Sequence, residues 1–244
     1  MMQELGSGIC PYVIDYYGAM IDTEHSELCI CMELMDTTAK KFYEILHLLG
    51  DNFSINFNRF LCRLVHNIAS ALGFLAEEKY LHRDIKPDNI LVSNGAVFKL
   101  SDFGTCCKIN ETDSVQSGVM GTIAYFPPEL VQIPSKPSTI QGDMWALGMS
   151  LLEIVLGKHP CLASDDSAQY RKIAAWNPEV PIAIISDNIR RFILQLLNKK
   201  AEQRPRSYTE ILNIPFIRNL PQEPTNDECI FINNIIQFSH EFGS

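Results

Sequence analysis

Residues 139–157 are apolar on nearly every face, with Met144, Trp145, Leu147, Leu151, Leu152, Ile154 and Val155 leaving no polar side. A helix of that kind persists in water only when other elements enclose it. The chain must therefore build layers around this segment. Its 244 residues, 46% of them apolar, suffice for one or two domains with a full core. A disordered tail or a fibre is excluded. No stretch approaches 18 uninterrupted apolar residues, so no membrane span is expected.

The rest of the chain supplies those layers. Residues 12–20 and 27–33 read as strands joined by the acidic turn DTEHS. Asp36-Thr37-Thr38 reads as a helix start, followed by Phe42, Ile45, Leu46 and Leu49 at helical spacing. Between 55 and 78, Phe57, Phe60, Leu61, Leu64, Val65, Ile68, Leu72 and Leu75 form one stripe. Strands at 90–93 and 97–100 flank Asn94-Gly95, a hairpin signal. Residues 101–138 lack periodicity, and a loop that long inside a compact domain is usually functional. Ser138-x-x-Gln141 and Ser207-x-x-Glu210 read as capping boxes, and further helices are expected at 165–176, 187–199 and 207–214. Strands first and helices after make an α+β chain with a large helical lobe.

Charge and cysteine usage narrow the function. The net charge of −9 gives no general basic face, so nucleic acid is not an expected partner. Eight cysteines (10, 29, 31, 62, 106, 107, 161 and 229) contain no C-x-x-C pair, which argues against a zinc knuckle or a thioredoxin-type site. MMQELGSGIC has no secretory pattern. A cytoplasmic location with reduced thiols is the expectation.

The decisive stretch is His82-Arg83-Asp84-Ile85-Lys86-Pro87-Asp88-Asn89, followed by Asp102-Phe103-Gly104 and then by Gly121-Thr122, Tyr125 and Pro127-Pro128-Glu129. In order and spacing this resembles the protein-kinase set H-R-D-x-K-x-x-N, D-F-G and A-P-E, with Pro127 in place of the usual Ala. The resemblance implies a protein-kinase-like α+β fold and ATP and Mg²⁺ as cofactors. Phosphoryl transfer needs positioning and charge neutralisation more than covalent help. Asp84 would orient or accept the proton of the attacking hydroxyl, and Lys86 would approach the transferring phosphoryl. Asn89 and Asp102 would hold Mg²⁺, because hard cations prefer oxygen ligands. Phe103 would set the direction of Asp102, with Gly104 allowing the chain to turn. His82 belongs to the same structural frame. Asp143, in Asp143-Met144-Trp145, would hold the catalytic-loop backbone, and Arg204 would pair with Glu129. Arg83 would meet a phosphate in the loop 105–120, where Ser114 and Ser117 are candidate phosphosites.

Within the kinases, Cys10-Pro11-Tyr12-Val13-Ile14, Tyr17-Gly18-Ala19, Ile30 to Asp36 (ICMELMD) and Lys41-Phe42-Tyr43 look like MAP kinase kinases. That alignment makes Met32 the gatekeeper, lets Glu33 and Met35 offer hinge backbone groups to adenine, and puts Leu91 under the ring. Asp113-Ser114-Val115 and Ser117 resemble the family's activation segment, one residue shorter between the hydroxyls. Asp227 to Ile236, with Asp227, Phe231 and Ile235 as anchors, is similar to a docking segment for upstream kinases. An amphipathic helix packed on the lobe is its rival reading.

No G-x-G-x-x-G and no V-A-I-K precede the hinge, and Gly6-Ser7-Gly8 lacks a third glycine. The expected organisation is a small-lobe remnant and hinge over 1–36, a complete, mainly helical large lobe over 37–217, and a tail over 218–244. Two roles are consistent with these residues. One is a Ser/Thr or dual-specificity kinase acting on a protein, with a MAP kinase as the expected substrate. The other is a kinase-like module that docks cascade components through 227–236 or the helix at 165–176.

Overall fold

The computed structural model describes residues 8–50, 55–109, 120–181 and 184–242. Strands β1 (Tyr16–Asp22) and β2 (Glu27–Met32) form an antiparallel ribbon, with Met20 opposite Cys29 and Ile21 opposite Leu28. Asp22 closes its turn by accepting from the Glu24 N–H at 2.9 Å and the His25 N–H at 3.2 Å. The strand expected at 12–20 starts four residues later, because Tyr12 and Ile14 are bonded elsewhere. The Leu100 N–H donates to the Tyr12 carbonyl at 2.8 Å, and the Ile14 N–H to the Leu100 carbonyl at 3.0 Å. Every residue of β2 is exposed, so its alternating pattern covers no core.

A short strand β3 (Thr37–Thr38) leads into helix α1 (Ala39–Leu49). The Thr38 hydroxyl accepts from the Lys41 N–H at 3.2 Å, as the helix-start reading requires. Helix α2 (Ile55–Glu77) follows, its apolar stripe buried from Phe57 to Leu75. Strand β4 (Tyr80–Leu81) pairs with β7 (Cys107–Lys108), and β5 (Ile90–Val92) and β6 (Phe98–Leu100) complete a three-stranded sheet of order β3-β5-β6. The hairpin at 93–97 exists, but its left-handed residue is Ala96 (φ 59°) and not the Asn-Gly pair. Ser93 accepts from Ala96 at 3.0 Å and donates to Val97 at 2.9 Å, while Ala96 itself is fully buried.

The loop expected over 101–138 contains short turns of 3₁₀-helix at Phe103–Thr105 and Ile123–Tyr125 and the helix α3 (Pro128–Val131). Helix α4 (Ile140–Leu156) is the enclosed segment: every residue from Asp143 to Val155 is buried. Its expected capping box does not form, because Thr139 takes the N-cap position and its side chain makes no cap bond. Around α4 lie α5 (Asp166–Ala175), α6 (Asp187–Leu196), α7 (Tyr208–Leu212) and α8 (Pro215–Arg218). A Cβ on Gly148 would sit 2.9 Å from the Leu196 Cβ, so the α4–α6 approach depends on that glycine. Helix α6 stops short of the expected 199 because the chain turns into a 3₁₀ segment at Ala201–Gln203. At α7 the Ser207 hydroxyl accepts from the Glu210 N–H at 3.2 Å, while the Glu210 carboxylate reaches Arg206 and not Ser207.

The C-terminal helix α9 (Asn226–Phe242) lies against α1 and α2. Phe231, Ile232, Ile235 and Ile236 are buried there, and the Phe231 ring meets Phe42 and Phe60 edge-on at 6.2 and 6.3 Å. Below them the buried Arg63 donates to Glu228 through Nε at 3.0 Å and to the Pro221 carbonyl at 2.8 Å. Thr225 and Glu228 also cap the helix, the Thr225 N–H donating to Glu228 Oε2 at 2.8 Å. The arrangement is thus that of a packed helix. Docking through Phe231 or Ile235 requires α9 to leave its groove; only Asp227 of the three anchors faces water, its side chain 70% exposed. Among the described residues, no helix is long and apolar enough to cross a membrane.

Candidate active site

The site lies where the segment after β4, the β5–β6 sheet and the loop before α3 converge. The anchor is Asp143, in the first turn of α4. Its buried carboxylate accepts from the backbone N–H of His82 and of Arg83, both at 2.9 Å. Burial pushes this carboxyl up to about 6, against the pull of those two bonds. The fold thus spends a buried charge on fixing one turn of backbone, where Arg83 takes the left-handed conformation at φ 68°.

His82 is fully buried, and burial lowers its pKa to about 4, so the ring is neutral. Its Nδ1 accepts from the Asp84 N–H at 3.3 Å, which leaves Nε2 to donate to the Ser101 carbonyl at 3.0 Å. The Phe103 ring stands edge-on to it at 5.2 Å. The Thr105 hydroxyl donates to the His82 carbonyl at 2.8 Å, and Arg83 Nε to the Thr105 carbonyl at 2.7 Å. The two motifs expected to cooperate are therefore bonded to each other directly.

Asp84 is the centre of the polar cluster. Its Oδ1 accepts from the Thr122 N–H at 2.9 Å and the Thr122 hydroxyl at 2.6 Å. Its Oδ2 accepts from Lys86 Nζ and from Asn89 Nδ2, both at 2.9 Å. Lys86 Nζ also donates to the Thr122 hydroxyl at 2.7 Å, which closes a triangle of Asp84, Lys86 and Thr122. Burial would raise the Asp84 pKa, but the bonds from Thr122 and Lys86 outweigh it and hold the carboxyl below its ordinary value. Asp84 is thus a weak base that is well placed to orient a donor hydroxyl.

Thr122 reaches this position because Gly121 precedes it. Gly121 has φ +114°, and a Cβ there would lie 2.2 Å from the Arg83 carbonyl oxygen. The loop and the His82–Asp84 turn approach too closely for any side chain. On its other side, Tyr125 donates to the buried Glu153 at 2.5 Å, and Tyr43 of α1 donates to the same carboxylate at 2.6 Å. These tyrosine bonds were not legible in the sequence, since neither spacing nor composition pairs residues 110 apart.

Asn89 gives its amide to Asp84, donating also to the Asp84 carbonyl at 2.8 Å, so its own side-chain oxygen is turned away from that bond. The Ser101 N–H and hydroxyl both donate to the Asn89 carbonyl, at 2.9 and 3.0 Å, which brings Asp102 alongside. Asp102 takes the left-handed conformation (φ 56°, ψ 77°) and, among the described residues, accepts only the long 3.3 Å bond from Gly104. An amide oxygen and an exposed carboxylate on segments joined by the Ser101 bonds suit a hard cation that keeps water and phosphate oxygens as its other ligands. The residues present therefore fit Mg²⁺ carried in with a nucleotide.

At the hinge, Met32 is 41% exposed, and Met35 and Leu91 are half-buried. Glu33 donates its N–H to the Asp15 carbonyl at 2.9 Å, and Asp36 donates to the Val92 carbonyl at 3.1 Å. Arg204 and Glu129 pair as expected, through two bonds of 2.6 and 2.9 Å with both side chains buried. The guanidinium also lies 5.0 Å over the Trp145 ring. Ser114 and Ser117 lie outside the described residues, as do Gly6 and Ser7.

Known proteins resemble this chain over most of its length. The protein kinase domain family matches residues 1–217. The dual specificity mitogen-activated protein kinase kinase sek-1 of Caenorhabditis elegans is 30% identical over 236 residues, covering 94% of this chain and 68% of that protein. MAP kinase kinase MKK1/SSP32 of Saccharomyces cerevisiae is 31% identical over 230 residues, covering 89% of this chain and 44% of that protein. Protein kinase wis1 of Schizosaccharomyces pombe is 30% identical over 224 residues, covering 87% of this chain and 35% of that protein. The chain thus spans less than half the length of the two yeast relatives. By sequence and by fold, with His82, Asp84 and Asn89 bonded to one another and the Asp102 segment beside them, the chain belongs to the protein kinase domain family and is similar to MAP kinase kinases.

Proposed function

We propose that the chain transfers the γ-phosphate of ATP to a Ser or Thr hydroxyl of a protein, with a MAP kinase as its substrate. The Asp84–Lys86–Thr122 triangle carries this reading. It surrounds one carboxylate oxygen with a hydroxyl, the chemical group that a substrate side chain would present. Asp84 orients that hydroxyl and takes its proton late, which suits a loose transition state with little need for a strong base. Lys86 places its Nζ 2.9 Å from Asp84, beside the point where phosphoryl charge develops. Asn89 and Asp102 would hold Mg²⁺, which neutralises phosphate oxygens when bound. Met35 and Glu33 would receive the adenine, with Leu91 beneath it. The neutral His82 takes no proton at physiological pH and serves the frame, not the chemistry.

The first test is a thermal melt with Mg-ATP at about a hundred times a typical dissociation constant. Binding of that strength adds about 2.7 kcal/mol, a shift of about 5–11 °C for a chain of this size. The shift should vanish in Asp102→Asn. Phosphate transfer to a catalytically dead MAP kinase, lost in Asp84→Asn, completes the test. A cooperative melt unmoved by nucleotide would refute the enzyme.

One observation favours a second reading, that of a docking module. The β1–β2 ribbon leaves Tyr17, Ile21 and Leu28 about two-thirds or more exposed, at 67%, 73% and 66%. Apolar side chains gathered on one ribbon suit a protein surface better than water. Binding of a MAP kinase by a chain that nucleotide leaves unmoved would support this reading over the first.

A further inference from the structure

In an antiparallel pair, the residues of a hydrogen-bonded rung exchange both N–H···O=C bonds. The rung that continues β1–β2 into the hinge does so on one side only. The Glu33 N–H donates to the Asp15 carbonyl at 2.9 Å. The returning Asp15 N–H does not reach the Glu33 carbonyl; it donates to the Glu33 carboxylate, Oε2, at 3.3 Å. The side chain has taken the bond that its own carbonyl would have accepted. Among the described residues, the Glu33 carbonyl has no backbone donor.

What holds the carboxylate there is Lys99, whose Nζ lies 2.6 Å from the same Oε2. The pair is largely withdrawn from water, with side-chain exposures of 13% for Lys99 and 24% for Glu33. Lys99 stands on β6 directly across from Leu91 of β5, so the cation rises on the same face as the residue expected beneath the adenine. The contact therefore ties the hinge to the large lobe at the residue whose carbonyl would face the nucleobase.

We propose that Lys99 is a positioning residue for base recognition: it holds the Glu33 carboxylate on the Asp15 N–H and so keeps the Glu33 carbonyl open to accept from the 6-amino group of adenine. The proposal rests on the nucleotide-binding reading above. Without Lys99 the carboxylate turns to water, the Asp15 N–H closes the rung on the Glu33 carbonyl, and the amino group meets an acceptor already in use.

Two nucleosides isolate this one bond, adenosine and purine riboside, which lacks only the 6-amino group. Titration calorimetry on the whole chain should find adenosine bound about three- to tenfold more tightly, the worth of one such hydrogen bond. In Lys99→Met that ratio should fall to about one through loss of adenosine affinity, with purine riboside unchanged. Glu33→Gln, which removes the ion pair from the other side, should collapse the ratio in the same way, and Lys99→Arg should keep it. A ratio that survives in Lys99→Met overturns the proposal and leaves nucleotide binding standing. Equal weakening of both nucleosides overturns it too, because a merely structural lysine would do that. If the parent chain binds neither nucleoside, the nucleotide-binding reading fails and this proposal with it.

Discussion

Replacing Glu129 by Met should destabilise the chain by about 3–4 kcal/mol, and replacing Arg204 as well should recover much of that loss. The two side chains are 9% and 0% exposed and joined by bonds of 2.6 and 2.9 Å. Removing one partner strands the other as an uncompensated buried charge, which costs about 3–5 kcal/mol. Arg204 keeps two other acceptors, the carbonyls of Gln141 and Asn198, both at 2.8 Å, so the lower part of that range applies to Glu129→Met. Arg204→Met alone strands the carboxylate and both carbonyls, and belongs at the upper end. The double variant holds no buried charge. It loses the donors to two carbonyls, at about 1 kcal/mol each, while a methionine sulfur takes over the guanidinium's contact with the Trp145 ring. The double variant should therefore sit about 2 kcal/mol below the parent, several kcal/mol better than the sum of the single losses. Urea unfolding of the four proteins measures the cycle, and each kcal/mol corresponds to about 2–4 °C in a melt of this size. Single losses that simply add, with coupling under about 0.5 kcal/mol, would mean that the two charges do not depend on each other, since independent sites behave that way.

Other expectations follow from the same geometry. Gly121→Ala should lower both stability and phosphate transfer, because its Cβ would lie 2.2 Å from the Arg83 carbonyl oxygen and push Thr122 off Asp84; an unchanged melt and rate would refute that contact. Thr122→Ser should keep most transfer activity and Thr122→Val lose about tenfold or more, since only the first retains the hydroxyl between Lys86 and Asp84. His82 is held near pKa 4 in the fold against 6.5 unfolded, so the unfolded chain binds more protons between those values and stability falls with acid. In the same window Asp143, raised to about 6 from 3.8, works in the opposite sense. His82→Phe should therefore gain about 3 kcal/mol on the parent as pH drops from 6.5 to 4, read by urea unfolding; parallel pH profiles would contradict this. Phe231→Ala should cost about 3–4 kcal/mol, as for a buried aromatic, and a negligible cost would mean that α9 is detached in solution.

Strong periodicity alone was enough to specify two of the helices. The stripe from Phe57 to Leu75 and the all-round apolar run from Met144 to Val155 allow only buried helices, and both stand within a residue or two of their expected ends. The motifs His82 to Asn89 and Asp102 to Gly104 also marked the candidate site, because their residue types and order are those that hard-cation and phosphoryl chemistry would use. Where local signals misled, tertiary contacts outweighed them. Asn94-Gly95 is a favourable turn pair, yet the left-handed residue is Ala96, which the core covers completely. The apolar residues of β2 look like a core face and are exposed, because burial depends on what lies opposite and not on the strand itself. Phe231 and Ile235 have the same spacing in a docking peptide and in a packed helix, and only the groove formed by α1 and α2 with Arg63 distinguishes the two. The contacts that position the site, Thr122 on Asp84, Tyr43 and Tyr125 on Glu153, and Lys99 on Glu33, join residues 28 to 110 apart. Their partners are fixed by distance and direction in space, which no local pattern along the chain encodes.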